Sequence, residues 1–179
     1  MNWNPFKKKE EEPETIDPLD LSLSHLKPGF VLDYDLKTWQ VTAHHYYDYD
    51  GDRIDEWELT CGDDMAYLDR GEDDGITWTL TRKIRLSSIE SNIRDHMRNN
   101  DDPPDEIIHK GVTYHGESSA VGNYFKDSAG SGQEFLTWDY LDESEKLTLS
   151  IEQWGDDEYD ASVGEIVEEY QFSNILPVE

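Results

Sequence analysis

The first half of the chain alternates apolar and polar positions in the manner of half-buried β-strands. Trp39, Val41 and Ala43 are expected on one strand face, with Thr38, Gln40 and Thr42 on the other. Asp50-Gly51 then marks a tight hairpin, because glycine accepts the positive φ that a primed turn needs. Arg53 to Cys61 reads as the return strand, turned by Gly62-Asp63-Asp64 into a further strand from Met65 to Arg70. After an acidic turn at 71–75, residues 76–86 form another strand, with Ile76, Trp78 and Leu80 sharing a face. The pattern changes at Ser87-Ser88-Ile89-Glu90, where Ser87 and Glu90 have capping-box spacing. Ile89, Ile93 and Met97 follow at steps of four, one apolar stripe on a short helix. Asn99 to Pro104 ends that helix. Strand-like runs resume near 111–115, 117–125, 133–141, 146–154 and 158–167, and Tyr170, Phe172 and Ile175 are expected to anchor the C-terminal segment.

The two halves echo each other. Glu56-Trp57-Glu58-Leu59 is matched 81 residues on by Thr137-Trp138-Asp139-Tyr140, and the same offset joins Leu68 to Leu149 and Trp78 to Tyr159. Both halves open on a glycine, Gly29 and Gly111, and both close on similar tripeptides, Ser87-Ser88-Ile89 and Ser173-Asn174-Ile175. The expected fold is mainly β: two similar antiparallel β-units, a pseudo-repeat joined by one short helix and packed as one body. The expected boundaries are a disordered charged tail over 1–20, a first unit over 21–90, the helix and linker over 87–106, and a second unit over 107–179.

Six Trp, ten Tyr and five Phe among 179 residues supply large burial per residue, which suits aromatic-rich sheets better than leucine helices. With 42 acidic against 15 basic residues the net charge is −27, which repels phosphate backbones and argues against nucleic-acid binding. The acidity also reads as a solubilising shell or adaptation to a salty host. Cys61 stands alone, so no intramolecular disulfide forms and a reducing cytoplasm is expected. No stretch approaches a membrane span. Trp3 and Phe6 beside Lys7-Lys8-Lys9 could give weak peripheral contact with an anionic lipid surface.

Candidate chemistry is sparse. Asp48, Asp50, Asp52, Asp55 and Glu56 cluster around the first hairpin, but Gly51 falls at the wrong place for an EF-hand loop, and an acidic hairpin tip is the expectation. His44 and His45 fall on opposite strand faces, His109 and His115 lack further ligands at zinc spacing, and acidic neighbours oppose nucleophilic use of Cys61. No metal or cofactor is expected, and no phosphate loop, nucleophile elbow or metalloprotease helix is present. Asp139, between Trp138 and Tyr140, and Glu152, close to Trp154, are the acids most embedded in aromatic sequence. Alternation turns both away from their aromatic neighbours and, on that reading, outward to solvent. A ligand site, if there is one, would draw on Trp57, Trp138, Asp139, Glu152 and Trp154, where aromatic faces and carboxylates suit an ammonium group.

Gly111-Val112-Thr113-Tyr114, Trp138-Asp139-Tyr140, the run from Leu149 to Gly155 and Val163-Gly164-Glu165 resemble the bacterial domain-of-unknown-function family 4178. Gly29, Tyr34, Trp39-Gln40-Val41, the run from Glu56 to Leu59 and Trp78 fit it as well, so the resemblance spans about Leu26 to Pro177. That family carries no assigned catalytic residues, cofactor or substrate. Its genes often lie near those of membrane-stress proteins, small membrane proteins and aminopropyltransferase-like proteins, which implies an accessory role by association. The expectation is a cytoplasmic, non-enzymatic interaction module with a protein partner in a bacterial membrane-stress system. The alternative is a binder of a polyamine or other small cation, and an uncharacterised enzyme comes third.

Overall fold

A computed structural model describes residues 21–90 and 92–177. The expected tail, with Trp3 and Phe6, lies outside the described residues. The protein is mainly β, with eleven strands in one antiparallel sheet: β1 Phe30–Tyr34, β2 Lys37–Tyr49, β3 Asp52–Cys61, β4 Asp64–Glu72, β5 Ile76–Ile84, β6 Glu106–His109, β7 Val112–Phe125, β8 Gln133–Asp142, β9 Leu147–Gly155, β10 Glu158–Val167 and β11 Ser173–Pro177. One α-helix among the described residues, α1 Ile93–Asn100, falls between β5 and β6.

The sheet order is β11-β1-β2-β3-β4-β5-β10-β9-β8-β7-β6, with β2 also paired to β7. Strands β1 to β5 therefore form one meander and β6 to β10 another, joined edge to edge by β5 and β10. The β2–β7 pairing, Tyr46 to Phe125 through Asp48 to Asn123, brings the far edges together. Eight strands thus close into a ring, and closure removes long free edges from the middle of the sheet. Glycine serves both seams. A Cβ on Gly164 in β10 would lie 2.6 Å from the Leu80 carbonyl oxygen of β5, and one on Gly122 in β7 would lie 2.9 Å from the Tyr49 ring of β2.

Two hydrophobic cores lie on the outer faces of the ring. The first holds Leu32, Trp39, Val41, Trp57, Leu59, Leu68, Trp78 and Leu80. Leu23 and Leu26, from the short 3-10 turn at Leu23–His25 and its C-terminal flank, cover it together with Val167 and Phe172 from the other half of the chain. The second core holds Tyr114, Trp138, Tyr140, Leu149 and Ile151, covered by Ile93 and Met97 of α1, by Ile107 of β6 and by Ile89. Trp57 donates its indole N–H to the Leu26 carbonyl at 3.0 Å, and Trp138 donates to Asp102 Oδ1 at 3.2 Å.

Several local expectations change. A bulge between Val41 and Ala43 takes Ala43 off the face of Trp39 and Val41. Ile76 is exposed while Trp78 and Leu80 are buried. The Ser87/Glu90 box does not start the helix: Ser87 and Ser88 lie in a 3-10 turn, Glu90 accepts from the Gly111 amide, and Asn92 caps α1 through the Asp95 amide. Ile89 is buried but lies ahead of the helix whose stripe is Ile93 and Met97. The two expected runs at 111–115 and 117–125 are one strand, β7, bulged between Gly116 and Ser118. Tyr170 is exposed, leaving Phe172 and Ile175 as the C-terminal contacts of the first core. Ser87-Ser88-Ile89 spans a 3-10 turn, whereas Ser173-Asn174-Ile175 lies in β11, so those tripeptides occupy different elements.

Candidate functional site

Because each ring strand turns apolar side chains outward to a core, its alternate residues face the interior, where carboxyl and hydroxyl groups mix with the rings of Tyr47, Tyr49 and Tyr67 and with Ile54. They enclose a cavity of about 310 Å³, near the lower end of the ~300–1,000 Å³ typical of small-molecule sites. Six carboxyl groups line it: Glu56 from β3, Asp69 from β4, Asp139 from β8 and Glu152 from β9 are the four with raised pKa values, and Glu117 from β7 and Asp160 from β10 complete the set. Hydroxyls of Thr79, Thr81, Thr137, Thr148, Ser150 and Ser162 fill much of the remaining wall. Tyr47 and Tyr49 of β2 close one side, backed by Phe135, which stacks on Trp154 at 4.8 Å between ring centroids.

The cavity acids are held away from water and close to one another. Glu56 is 7% exposed, and burial pushes its carboxyl up to about 7, with Glu152 adding like-charge repulsion against a hydrogen bond from the Tyr47 hydroxyl at 3.0 Å. Glu152 is also pushed up to about 7, by burial first, and the Lys83 ammonium works in the opposite direction. Asp69 stands well above the ordinary carboxylate range because protein surrounds it and both Glu56 and Glu152 act on it. Its Oδ1 has no exposed surface and no hydrogen-bond partner. Burial raises Asp139 as well, although its Oδ1 accepts from Ser150 at 2.6 Å. Asp69, Asp139 and Glu152 keep some accessible surface because the cavity between them is open.

Cationic charge is scarce around this pocket. Lys83 of β5 reaches its rim, where the ammonium donates to Asp160 of β10 at 2.9 Å and lies 5.8 Å from the Tyr67 ring. Lys83 and Asp160 also line an outer vestibule with Arg94, Tyr124, Trp154, Asp157 and Tyr159. The Trp154 indole N–H lies close enough to Glu152 to favour its charged form, yet meets no acceptor within hydrogen-bond geometry.

The sequence-derived candidates divide between faces. Asp139 and Glu152 face the ring interior, not bulk solvent, because the face opposite the aromatic core is enclosed by the other half of the sheet. Trp154 lines the outer vestibule, stacked on Phe135, whereas Trp57 and Trp138 sit in the two separate outer cores. Glu56 belongs to the cavity and not to a hairpin tip. Asp48 does cap that hairpin, accepting from the Gly51 amide at 2.8 Å. Asp69 escaped the sequence reading, although its place beside Leu68 is the same signal as that of Glu152 beside Ile151. His44 stacks on Trp57 and contacts Asp55, while His45, on the other face, accepts from the Asp127 amide. Cys61 is half-buried at the end of β3. Among the described residues, no three His, Cys, Asp or Glu side chains converge to hold a metal ion.

Comparison with known proteins places the chain. The family model described as "Domain of unknown function (DUF4178)" matches residues 27–169. The chain belongs to this family. The match starts before β1 and ends beyond β10, so it covers every strand of the ring. An uncharacterised protein of Aquifex aeolicus (strain VF5) is 27% identical over 169 residues, covering 94% of this chain and 93% of that protein. No solved structure matches the chain. No described helix is long and apolar enough to cross a membrane.

Proposed function

We propose that the protein is a non-enzymatic binding protein whose ring interior holds a small organic cation, the class that includes polyamines. One observation carries this reading: six carboxyl groups line one cavity, four of them largely buried, and its one lining ammonium, Lys83, already has a carboxylate partner. Burying acids without a counter-charge costs stability, and a ligand ammonium would return that cost as affinity. Tyrosine faces add a favourable wall for a cation.

The pairing supports a further reading, that the two meanders are copies of one β-unit fused into one body. Trp57 pairs across to Leu68 and Trp138 to Ile151, while Arg70 pairs to Trp78 and Gln153 to Tyr159. On that register Trp57 corresponds to Trp138 and Trp78 to Tyr159, but Leu68 corresponds to Ile151 in place of Leu149. The interaction-module alternative has less behind it, since the large exposed apolar residues among those described, Leu36, Met65, Ile76, Val121, Ile166, Tyr170 and Leu176, are spread over seven segments of the chain. A bacterial cytoplasm suits the lone Cys61 and the relative from Aquifex aeolicus.

Calorimetric titration of the full chain with a panel of organic amines, at low and physiological salt, tests the binding reading. Saturable binding that survives physiological salt and is lost in the Asp69→Asn/Glu152→Gln double variant is expected. Absence of binding by every amine, or chemical conversion of a bound one, would defeat it.

A further inference from the structure

The cavity contains two anionic loci, and they differ in one respect. At the rim, Asp160 is matched by Lys83, whose ammonium also lies over the Tyr67 ring and within the field of Glu152. This is an ammonium-binding subsite with the protein's own ammonium already in it. Deeper in, Glu56, Asp69 and Asp139 have no cationic partner; Glu56 accepts only from the Tyr47 hydroxyl, Asp139 from Ser150 and Thr137, and Asp69 Oδ1 from nothing. A ligand with one ammonium satisfies this arrangement. A second ammonium on the same ligand would meet Lys83 at the rim, where the two like charges repel even though both rim side chains are about half exposed.

The wall indicates the rest of the ligand. The Thr137 and Ser150 hydroxyls already donate to Asp139, but those of Thr79, Thr81, Thr148 and Ser162 also line the interior beside the Tyr47 and Tyr49 rings, and an apolar ligand body would leave any of these four that faces it without a partner. A hydroxyl-bearing body pairs with them. We propose, building on the cation-binding reading above, that the ligand is a hydroxylated monoamine of the amino-alcohol or amino-sugar class, and that Lys83 sets this specificity by occupying the second ammonium subsite.

Glucosamine, N-acetylglucosamine and putrescine are suitable probes, titrated into the full-length protein and its variants at physiological salt. The wild-type protein should bind glucosamine saturably, and roughly tenfold or more weaker binding is expected for N-acetylglucosamine, which lacks the charge, and for putrescine, which adds a second. Lys83→Met frees Asp160 and should shift the putrescine-to-glucosamine preference toward putrescine by roughly tenfold. The Lys83 side chain is half exposed, so this variant should fold. Asp69→Asn should remove glucosamine binding; unchanged binding would overturn the deep locus. Putrescine binding as tightly as glucosamine to the wild-type protein, or a preference unmoved by Lys83→Met, would overturn the monoamine assignment while leaving cation binding intact. Failure of amines of either kind to bind any form would overturn the cation reading itself.

Discussion

At the turn between β1 and β2, Asp35 and Leu36 have φ values of 47° and 61°, both in the left-handed region, and Leu36 is fully exposed. A primed two-residue turn favours Asn or Gly at such positions, and a leucine there carries backbone strain with no burial to offset it. Leu36→Gly should therefore raise stability by roughly 0.5–1 kcal/mol, read from denaturant midpoints; a loss of stability would mean that the side chain makes a compensating contact. The cavity acids strain the protein in another way. Glu56 and Glu152 have folded pKa values of about 7 against an ordinary 4.5, so they hold protons in the folded state that the unfolded chain releases. Their protonated forms favour folding below about pH 4.5, and that contribution is lost as pH rises through about 7. His45, lowered by burial, acts in the opposite sense near its usual value. The melting temperature of the ligand-free protein should fall between about pH 5 and pH 8, and Glu56→Gln/Glu152→Gln should flatten that fall. An unchanged slope in the double variant would assign the pH dependence elsewhere. At this scale the sequence marked Asp139 and Glu152 by their aromatic neighbours, but their environment depended on what covered the opposite strand face. Alternation alone assigns that face to water.

At the scale of elements, the long strands were legible and the short connectors were not. Glu158–Val167 has the bounds expected of it, and the Asp50-Gly51 and Gly62-Asp63 turns join the strands expected of them. By contrast, β6 has four residues and β11 five, too short for a period of two to emerge above chance. The bulges in β2 and β7 reset the alternation in mid-strand, so strict alternation puts Ala43 on the wrong face. Glycines in β7 and β10 carried no turn signal, and their purpose is visible only at the seams. Gly164 faces backbone and side-chain atoms of neighbouring strands, and Gly122 faces the Tyr49 ring and the Asp48 carbonyl. Gly164→Ala should cost about 2–3 kcal/mol, because the Leu80 carbonyl at 2.6 Å belongs to a paired strand that cannot easily withdraw. Gly122→Ala should cost about 1–2 kcal/mol, since part of its obstacle is a side-chain ring. Equal, small losses at both sites would show that the seams are loosely packed.

For the whole molecule, the decisive property is that each half covers the other's hydrophobic core. Ile84 ends the first meander and Leu86 and Ile89 follow it, but all three pack on the second core, while Val167 ends the second meander and Phe172 follows it, and both pack on the first. Hydrogen bonds repeat the exchange: Glu169 accepts from the Leu23 amide at 3.1 Å, and Tyr34 donates to Glu165. Sequence periodicity could suggest two similar units, but not that their coverings are traded, because that depends on which strand edges meet. The exchange leaves neither core complete without the other half, so unfolding should be a single cooperative transition. A chain ending at Glu168 tests this. It removes Phe172, Ile175 and β11 from the first core, and loss of the Phe172 ring alone is worth ~3–5 kcal/mol. The shortened chain should melt well below the full chain, and hydrogen exchange should show β1 and β2 losing protection along with β8 and β9. If β8 and β9 stayed protected while β1 and β2 opened, the halves would be independent folding units and the traded coverings would be incidental to stability.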